Sequence, residues 1–365
     1  MCGESSMDER GRFRACLLGG AMGDALGGAV EFLSLEAIRS RFGPGGICDY
    51  ATAYGREGAI TDDTQMTLFT AEGLIRGLVR ERHKGITSYS SVTSAAYQRW
   101  LLTQGDSNHA GLDPLDPEPG WLYTIKELHS QRAPGLTCLS ALRNASELGV
   151  AASNDSKGCG GVMRVAPVGL FAGNIQQSFE LGCELAALTH GHPTGWLASG
   201  AFAAMITALR QDVSLPEAIN VALECLAQQP DHQEATAALQ MAVELAAAGG
   251  DPHANIRQLG EGWIAEEALA IAVYCALVAP NVEEGVIMAV NHSGDSDSTG
   301  AIAGNLLGLV GGEQCLPQKW LDGLELREVI IELADDLFDC PQWRIGMDAK
   351  SEDFDKRVWE KYPGY

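Results

Sequence analysis

The amino-acid sequence predicts an all-α protein, a compact globule of about a dozen or more helices. Apolar residues recur with a helical period in most long segments; in residues 62–81, for example, Met66, Phe69, Leu74 and Leu78 follow one broad face. Segments that alternate apolar and polar residues over the length of a strand are scarce, and no strand–helix–strand rhythm is visible. Frequent Ala and Gly in the helical segments would allow the helices to pack closely.

The predicted helices follow one another along most of the chain. They occupy residues 62–81, 89–105, 137–148, 176–189, 193–210, 215–228, 233–248, 263–278, 282–292, 299–310 and 324–338. Residues 19–33 also have a helical pattern although they are rich in glycine, and a continuous helix there would place Asp24 and Glu31 on one face. Segments rich in Gly, Pro or acidic residues are predicted as loops, namely residues 104–120, 149–164 and 246–262.

The composition of the chain argues against two classes of binding partner, nucleic acids and membranes. The chain has 365 residues and a formal net charge of −23, which argues against nucleic-acid binding because that needs clustered Lys and Arg. No segment reaches the roughly 18 consecutive apolar residues of a membrane-spanning helix, so no membrane partner is expected. The N-terminal segment is polar and the ten cysteines form no C-x-x-C pair. We therefore expect a cytoplasmic protein with reduced thiols.

Two predicted helix starts carry an unusual number of hard oxygen atoms. These are Thr61, Asp62 and Asp63 in "GAITDDTQMT", and Asp295, Asp297 and Ser298 in "GDSDSTGAIAG". Helix capping explains one or two oxygen atoms at each start and remains an alternative, above all for the first. Carboxylates packed this closely repel one another unless a cation lies between them. If the fold brings the two starts together, the all-oxygen set suits Mg²⁺ or Mn²⁺ and disfavours zinc.

Further candidate binding residues are found in a glycine-rich loop and at His190 and Trp263. The backbone amides of Gly158–Val162 could cradle a phosphate, although an ordinary tight turn is the alternative. His190 falls in a turn between two predicted helices, and Trp263 falls at a helix start. The alternatives are that His190 is only part of the turn and that Trp263 belongs to the core.

Six motifs follow one another along the chain, namely "GAMGDALGGAVEF", "GAITDDTQMT", "GCGGVMRVAP", "THGHP", "GEGWIAEEALA" and "GDSDSTGAIAGNLLG". They occur in the order found in ADP-ribosylglycohydrolases, and the chain resembles that family from about residue 12 to 335. The resemblance implies an orthogonal multi-helix domain over residues 12–340. An N-terminal extension, residues 1–11, would precede it, and a C-terminal tail, residues 341–365, would pack on or beside it.

The resemblance also implies roles for individual residues. The ligands of a centre with two Mg²⁺ ions, or Mn²⁺ in their place, would be Thr61, Asp62, Asp63, Asp295, Asp297 and Ser298. Glu31, with Asp62 and Asp297, would be catalytic. The pyrophosphate of the substrate would lie on Gly158, Cys159, Gly160, Gly161 and Val162, with His190 near the nucleotide and Trp263 in the substrate cleft.

The implied activity is hydrolysis that removes ADP-ribose from a modified protein side chain. Ser298 matches the form of the motif in arginine-specific members, so an arginine linkage is favoured. Cys159 and Gly161 depart from the Asn and Ser that relatives often have, which would leave backbone amides to hold the phosphates. Two alternatives stay open: a hydrolase of a small ADP-ribosyl metabolite, and a regulatory or immunity protein that binds and occludes an ADP-ribosyltransferase.

Overall fold

Helices make up the regular secondary structure of residues 8–115, 118–346 and 352–364, which are the residues that the computed structural model describes. Within these ranges the only β-structure is two isolated bridges. The all-α prediction is confirmed. Residues 1–7 of the predicted extension, and residues 347–351 and 365 of the predicted tail, lie outside the described residues.

The described residues form seventeen α-helices, which we number in chain order. They are α1 (Glu9–Gly27), α2 (Leu35–Phe42), α3 (Asp62–Lys84), α4 (Tyr89–Thr103), α5 (Leu136–Asn144), α6 (Ala166–Phe171), α7 (Ile175–Ala187), α8 (Pro193–Arg210), α9 (Leu215–Ala227), α10 (Gln233–Ala248), α11 (Pro252–Leu259), α12 (Ala265–Val278), α13 (Val282–Val290), α14 (Ser296–Gly311), α15 (Gln318–Gly323), α16 (Arg327–Asp339) and α17 (Glu352–Lys361). None of the helices in the described part of the chain is long and apolar enough to cross a membrane.

Every helix predicted between residues 62 and 338 is present, with small shifts at its ends. Two other predictions are wrong. The helix expected over residues 19–33 ends at Gly27, because Gly27 and Gly28 are poor helix formers and the chain turns there. Asp24 and Glu31 are therefore not on one helix. The segment 246–262, expected as a loop, contains α11, which Asp251 caps by accepting a hydrogen bond from an amide of the first turn.

The central packing contact joins the first helix to α14 through glycine. The contacting positions are Gly19, Gly23 and Gly27 in α1, and Gly300, Gly304 and Gly308 in α14. A Cβ atom added at any of them would overlap a backbone carbonyl group across the contact. Gly19 lies opposite Gly304 and Gly23 opposite Gly300, so the two helices run antiparallel. The C-terminal end of α1 is thereby placed against the N-terminal end of α14.

A buried carboxylate fastens a third helix to this pair. Asp24, in the last turns of α1, is completely buried and accepts hydrogen bonds from the amides of Thr61 (3.0 Å) and Thr64 (3.1 Å). It also accepts the hydroxyl of Thr64. These amides are among the unpaired donors at the start of α3, so α1 caps α3 from outside. The starts of α3 and α14 therefore meet at the same end of α1.

The described end of the chain packs against α3 and α16. The buried Tyr362 donates its hydroxyl to Asp336 at 2.6 Å, and Arg76 donates to the carbonyl oxygen of Pro363 at 2.8 Å. Whether residues 1–11 and 341–365 are separate from the domain stays a prediction.

We predict that Gly19→Ala lowers the free energy of unfolding by about 1–3 kcal/mol, because the added methyl group would force α1 and α14 apart. Gly11→Ala is the matched control on the same helix. Its Cβ atom would first meet atoms 3.8 Å away, and we expect a gain of about 0.5–1 kcal/mol. Urea denaturation followed by circular dichroism measures both. Equal stability of Gly19→Ala and the parent chain would contradict the close-packing argument.

Candidate functional site

A cavity of about 390 Å³ opens where the starts of α3 and α14 meet the turn after α1. Both acidic helix starts and the glycine-rich loop contribute to its wall. The lining residues are Glu31, Phe32, Asp62, Asp63, residues 133–138, Gly158, Cys159, Gly160, Met163, His190, Trp263, Asp295, Asp297 and Ser298. The fold therefore brings together two motifs that are far apart in the sequence.

Five buried carboxylates share this cavity. One oxygen atom from each of Glu31, Asp295 and Asp297 lies within 4.8 Å of the others, and Asp62 and Asp63 line the same space. Oδ2 of Asp63 and Oε2 of Glu31 are buried and accept no hydrogen bond. Buried polar atoms are nearly always paired in folded proteins, so these two oxygen atoms indicate that the site binds a positive or hydrogen-bond-donating group.

The segment before α5 braces the acidic start of α3. The amide of Asp62 donates to the carbonyl oxygen of Arg132 at 3.0 Å, and its carboxylate accepts the amide of Gly135 at 3.1 Å. The guanidinium group of Arg132 forms a buried, bidentate ion pair with the carboxylate of Glu325, with N–O distances of 3.0 and 3.1 Å. Glu325 also accepts the amide of Ile60 at 3.1 Å. These contacts hold the start of α3 in place beneath the cavity.

The start of α14 divides its oxygen atoms between structure and cavity. Asp295 and Asp297 both accept from the amide of Ser298, at 3.3 and 3.0 Å, while their side chains also line the cavity. The hydroxyl of Ser293 instead accepts the first amide of α2 at 3.0 Å. The hydroxyl of Thr299 pairs with His292 at 2.8 Å. Hydrogen bonds within the protein thus account for part of this oxygen-rich motif. The carboxylates of Asp295 and Asp297 and the hydroxyl of Ser298 remain at the cavity.

Thr61 is the predicted ligand that does not line the cavity. Its side chain is fully buried and its hydroxyl accepts the amide of Asp63 at 3.3 Å, which is the ordinary N-terminal cap of α3. The metal-ligand role of Thr61 stays a prediction, as do the roles of the five residues that line the cavity.

Glu31, Asp24 and Asp63 hold their protons more tightly than usual. Burial first, and then the charges of Asp297, Asp295 and Asp62, raise the pKa of Glu31 to about 11. Burial and the charge of Asp297 raise the pKa of Asp24 to about 7. The same two causes raise the pKa of Asp63 well above its ordinary value. A group of carboxylates that repel one another in this way can be neutralised by protons or by a bound cation.

The glycine-rich loop forms one side of the cavity as a 3₁₀-helix, Cys159–Arg164. Gly158, Cys159 and Gly160 line the cavity, whereas Gly161 and Val162 are buried behind it. The amide of Gly158 donates to the hydroxyl of Ser156 at 3.3 Å, and that of Cys159 donates to the carbonyl oxygen of Trp263 at 3.1 Å. Two of the backbone donors expected to face a phosphate therefore already have partners within the protein.

His190 and Trp263 reach the cavity in different ways. His190 is buried, and its Nδ1 atom pairs with the hydroxyl of Thr189 at 2.8 Å. Burial and the charge of Arg164 lower the pKa of His190 to about 3, so its ring is neutral near pH 7. Trp263 is 40 % exposed at the rim and stacks on Phe32, with ring centroids 6.1 Å apart.

Sequence reasoning missed several residues of this site. Asp24 organises the two helix starts, and an acid within the apolar, glycine-rich segment was a signal that it is buried and paired. Phe32, Leu136 and Cys138 also line the cavity. Their types and spacing give no signal, because only the turns around residues 31 and 135 bring them there.

Comparison with known proteins identifies the family. The profile of the family described as ADP-ribosylglycohydrolase matches residues 5–345. An Archaeoglobus fulgidus protein, named only as uncharacterized, is 29 % identical over 90 % of this chain and 96 % of its own length. ADP-ribosylarginine hydrolase Tri1 of Pseudomonas putida is 23 % identical over 91 % of this chain and 79 % of its own. ADP-ribosyl-[dinitrogen reductase] glycohydrolase of Rhodospirillum rubrum is 24 % identical over 87 % of this chain and 91 % of its own.

A solved structure has the same fold. It is titled "ADP-ribosylglycohydrolase-related protein complex" and superimposes with a TM-score of 0.63 at 24 % identity, over 91 % of this chain and 98 % of that chain. The family profile covers nearly the whole of the chain, and the chain belongs to the ADP-ribosylglycohydrolase family.

Proposed function

We propose that this protein is a metal-dependent hydrolase that removes ADP-ribose from modified protein side chains, with arginine as the favoured linkage. The family supports ADP-ribosyl glycohydrolase activity, and ADP-ribosylated proteins are the substrates of the family. The observation that carries the proposal is the cavity with five buried carboxylates, two of which have an oxygen atom without a hydrogen-bond partner.

The donor set fits a hard divalent cation. The candidate ligands that line the cavity, Asp62, Asp63, Asp295, Asp297 and Ser298, all offer oxygen, which Mg²⁺ and Mn²⁺ prefer. When bound, such cations would neutralise the carboxylates and hold the ribose hydroxyl groups of the substrate. Two Mg²⁺ ions, or Mn²⁺ in their place, are proposed from the family resemblance.

The protein groups around the cavity fit cleavage of an N-glycosidic bond. Gly158 and Gly160 would lie along the pyrophosphate, and the neutral ring of His190 can donate a hydrogen bond without adding charge. The carboxylates favour the positive charge that develops on the ribose as its C1″–N bond breaks. With cations bound, which would favour the ionised form of the carboxyl groups, Glu31 or Asp297 would orient a water molecule and accept its proton as the new C–O bond forms. The released guanidine nitrogen takes up a proton.

The negative charge of the cavity and the name of one relative both favour an arginine linkage. The released side chain is a guanidinium cation, which an acidic cavity attracts. Trp263 and Phe32 at the rim also offer aromatic surface on which a guanidinium group can stack. A relative that covers most of the chain is named as an ADP-ribosylarginine hydrolase.

We predict that the chain releases ADP-ribose from arginine-modified protein with Mg²⁺ or Mn²⁺, and that EDTA abolishes the release. Asp62→Asn and Asp297→Asn should each lower the rate at least about 100-fold, because each removes a carboxylate from the site. Asp231→Asn, at an exposed turn where Asn is equally tolerated, is the matched control. Chromatographic quantification of free ADP-ribose measures the rate.

Full activity in EDTA would contradict the metal-dependent mechanism. Faster release from serine-modified protein, or from a small ADP-ribosyl conjugate, would contradict the arginine linkage. Loss of all release, with metal and ADP-ribose still bound, would favour a binding protein that occludes an ADP-ribosyltransferase.

We predict that the metal-free protein becomes less stable as the pH rises from 5 to 8. The folded pKa values of Glu31, about 11, and Asp24, about 7, lie above the ordinary values of 4.5 and 3.8. The pKa values of Asp62, Asp63 and Asp295 are raised as well. These five carboxyl groups outnumber the buried His190 and His292, whose lowered pKa values act in the opposite direction. The folded state therefore binds more protons than the unfolded state across this range, and its stability falls with rising pH. Thermal unfolding in EDTA measures the trend. Added Mg²⁺ should raise the melting temperature more at pH 8 than at pH 5.

Glu31→Gln should make the melting temperature of the metal-free protein depend less steeply on pH, because it removes one of the carboxyl groups whose pKa is raised. Glu244→Gln, an exposed change on α10, should leave the slope as it is in the parent chain. A parent protein whose metal-free melting temperature rises over the same range would show that the carboxylates do not repel one another as proposed.

A further inference from the structure

A thiol lies among the predicted metal ligands. Cys159 lines the cavity, and its Sγ atom donates a hydrogen bond to Oδ2 of Asp295 at 2.6 Å. Asp63 and Ser298 line the same cavity. Five of the six residues predicted to bind metal share this cavity with the sulfur atom.

The position of the sulfur atom is set by the backbone on both sides. The amide of Cys159 donates to the carbonyl oxygen of Trp263 at 3.1 Å, and Gly158 forms an isolated β-bridge with Ile264. The amide of Ala265 donates to the carbonyl oxygen of Lys157 at 2.9 Å. The loop is thus tied to the start of α12, and the thiol can turn toward the acidic group without movement of the chain.

The cavity beside the thiol has unsatisfied oxygen atoms. Asp63 is 3 % exposed and Glu31 is 7 % exposed, and each has one carboxylate oxygen that accepts no hydrogen bond. These acceptors suit a bound cation independently of the cysteine. A cation that they attract would find a sulfur atom next to Asp295.

We propose that Cys159 gives this metal centre a sulfur ligand for thiophilic divalent cations such as Co²⁺, Zn²⁺ and Cd²⁺. Thiolates select such ions, whereas Mg²⁺ keeps to oxygen. The inference rests on the proposed function insofar as the carboxylate cavity is the metal centre. The step changes no oxidation state: the thiol proton passes to solvent as the sulfur–metal bond forms.

The consequence is a centre whose choice of cation depends on one side chain. A thiophilic ion would compete with Mg²⁺ at lower concentration in this chain than in one with an oxygen donor at position 159. Cys159→Ser separates the two possible roles of the thiol, because serine can still donate a hydrogen bond to Asp295 but is a poor ligand for soft ions.

The test is a titration of the metal-free, full-length protein with Co²⁺, followed by absorption spectroscopy. We expect the intense near-ultraviolet charge-transfer band of a cobalt–thiolate bond in the parent chain and its loss in Cys159→Ser and Cys159→Ala. Cys138→Ser, in the same cavity, and Cys48→Ser, on the surface, should both keep the band. Calorimetry should show Cd²⁺ binding weakened at least about tenfold in Cys159→Ser.

A parent chain without the band, or a band that survives in both Cys159 variants, would overturn the inference. Circular dichroism of each variant establishes that it is folded. ADP-ribose release with Mg²⁺ is measured on the same parent preparation. Release without a cobalt–thiolate band would refute the sulfur ligand and leave the hydrolase standing, whereas the band without release would support the sulfur ligand and refute the hydrolase.

Discussion

The contact between α1 and α14 without intervening side chains is the constraint on which the site depends. Glycines on both helices let the backbones touch, and the antiparallel direction places the end of α1 against the start of α14. Asp24, one residue beyond a contacting glycine, then caps α3. Two helix starts that both carry carboxylates are held together although their charges repel. Backbone packing and one buried capping carboxylate supply the force that opposes this repulsion.

The acidic centre is a compromise between stability and binding. Groups that raise one another's pKa destabilise the fold whenever they lose their protons without gaining a cation. The same repulsion would increase the affinity for the proposed cation, since binding would remove it. The Arg132–Glu325 ion pair and the capping of α3 by Asp24 lie just beneath the carboxylates, where they keep the strained arrangement from opening.

Much of the fold and part of the site could be predicted from the sequence because the signals are local. Helical periodicity located the helices between residues 62 and 338, and the crowded oxygen atoms marked the starts of α3 and α14. The remaining features depend on long-range packing. No local pattern shows that Thr299 pairs with His292 or that Cys159 faces Asp295.

The pairing of the first long helix with a helix near the other end of the chain also governs when the protein can become active. Asn305 donates to the carbonyl oxygen of Cys16 across 289 residues of sequence. Contacts of such separation form late in folding because a long loop must close first. During synthesis, α1 leaves the ribosome long before α14. Until α14 has been made, the glycine face of α1 has no helix to pack against. The acidic centre therefore cannot assemble on a partly made chain.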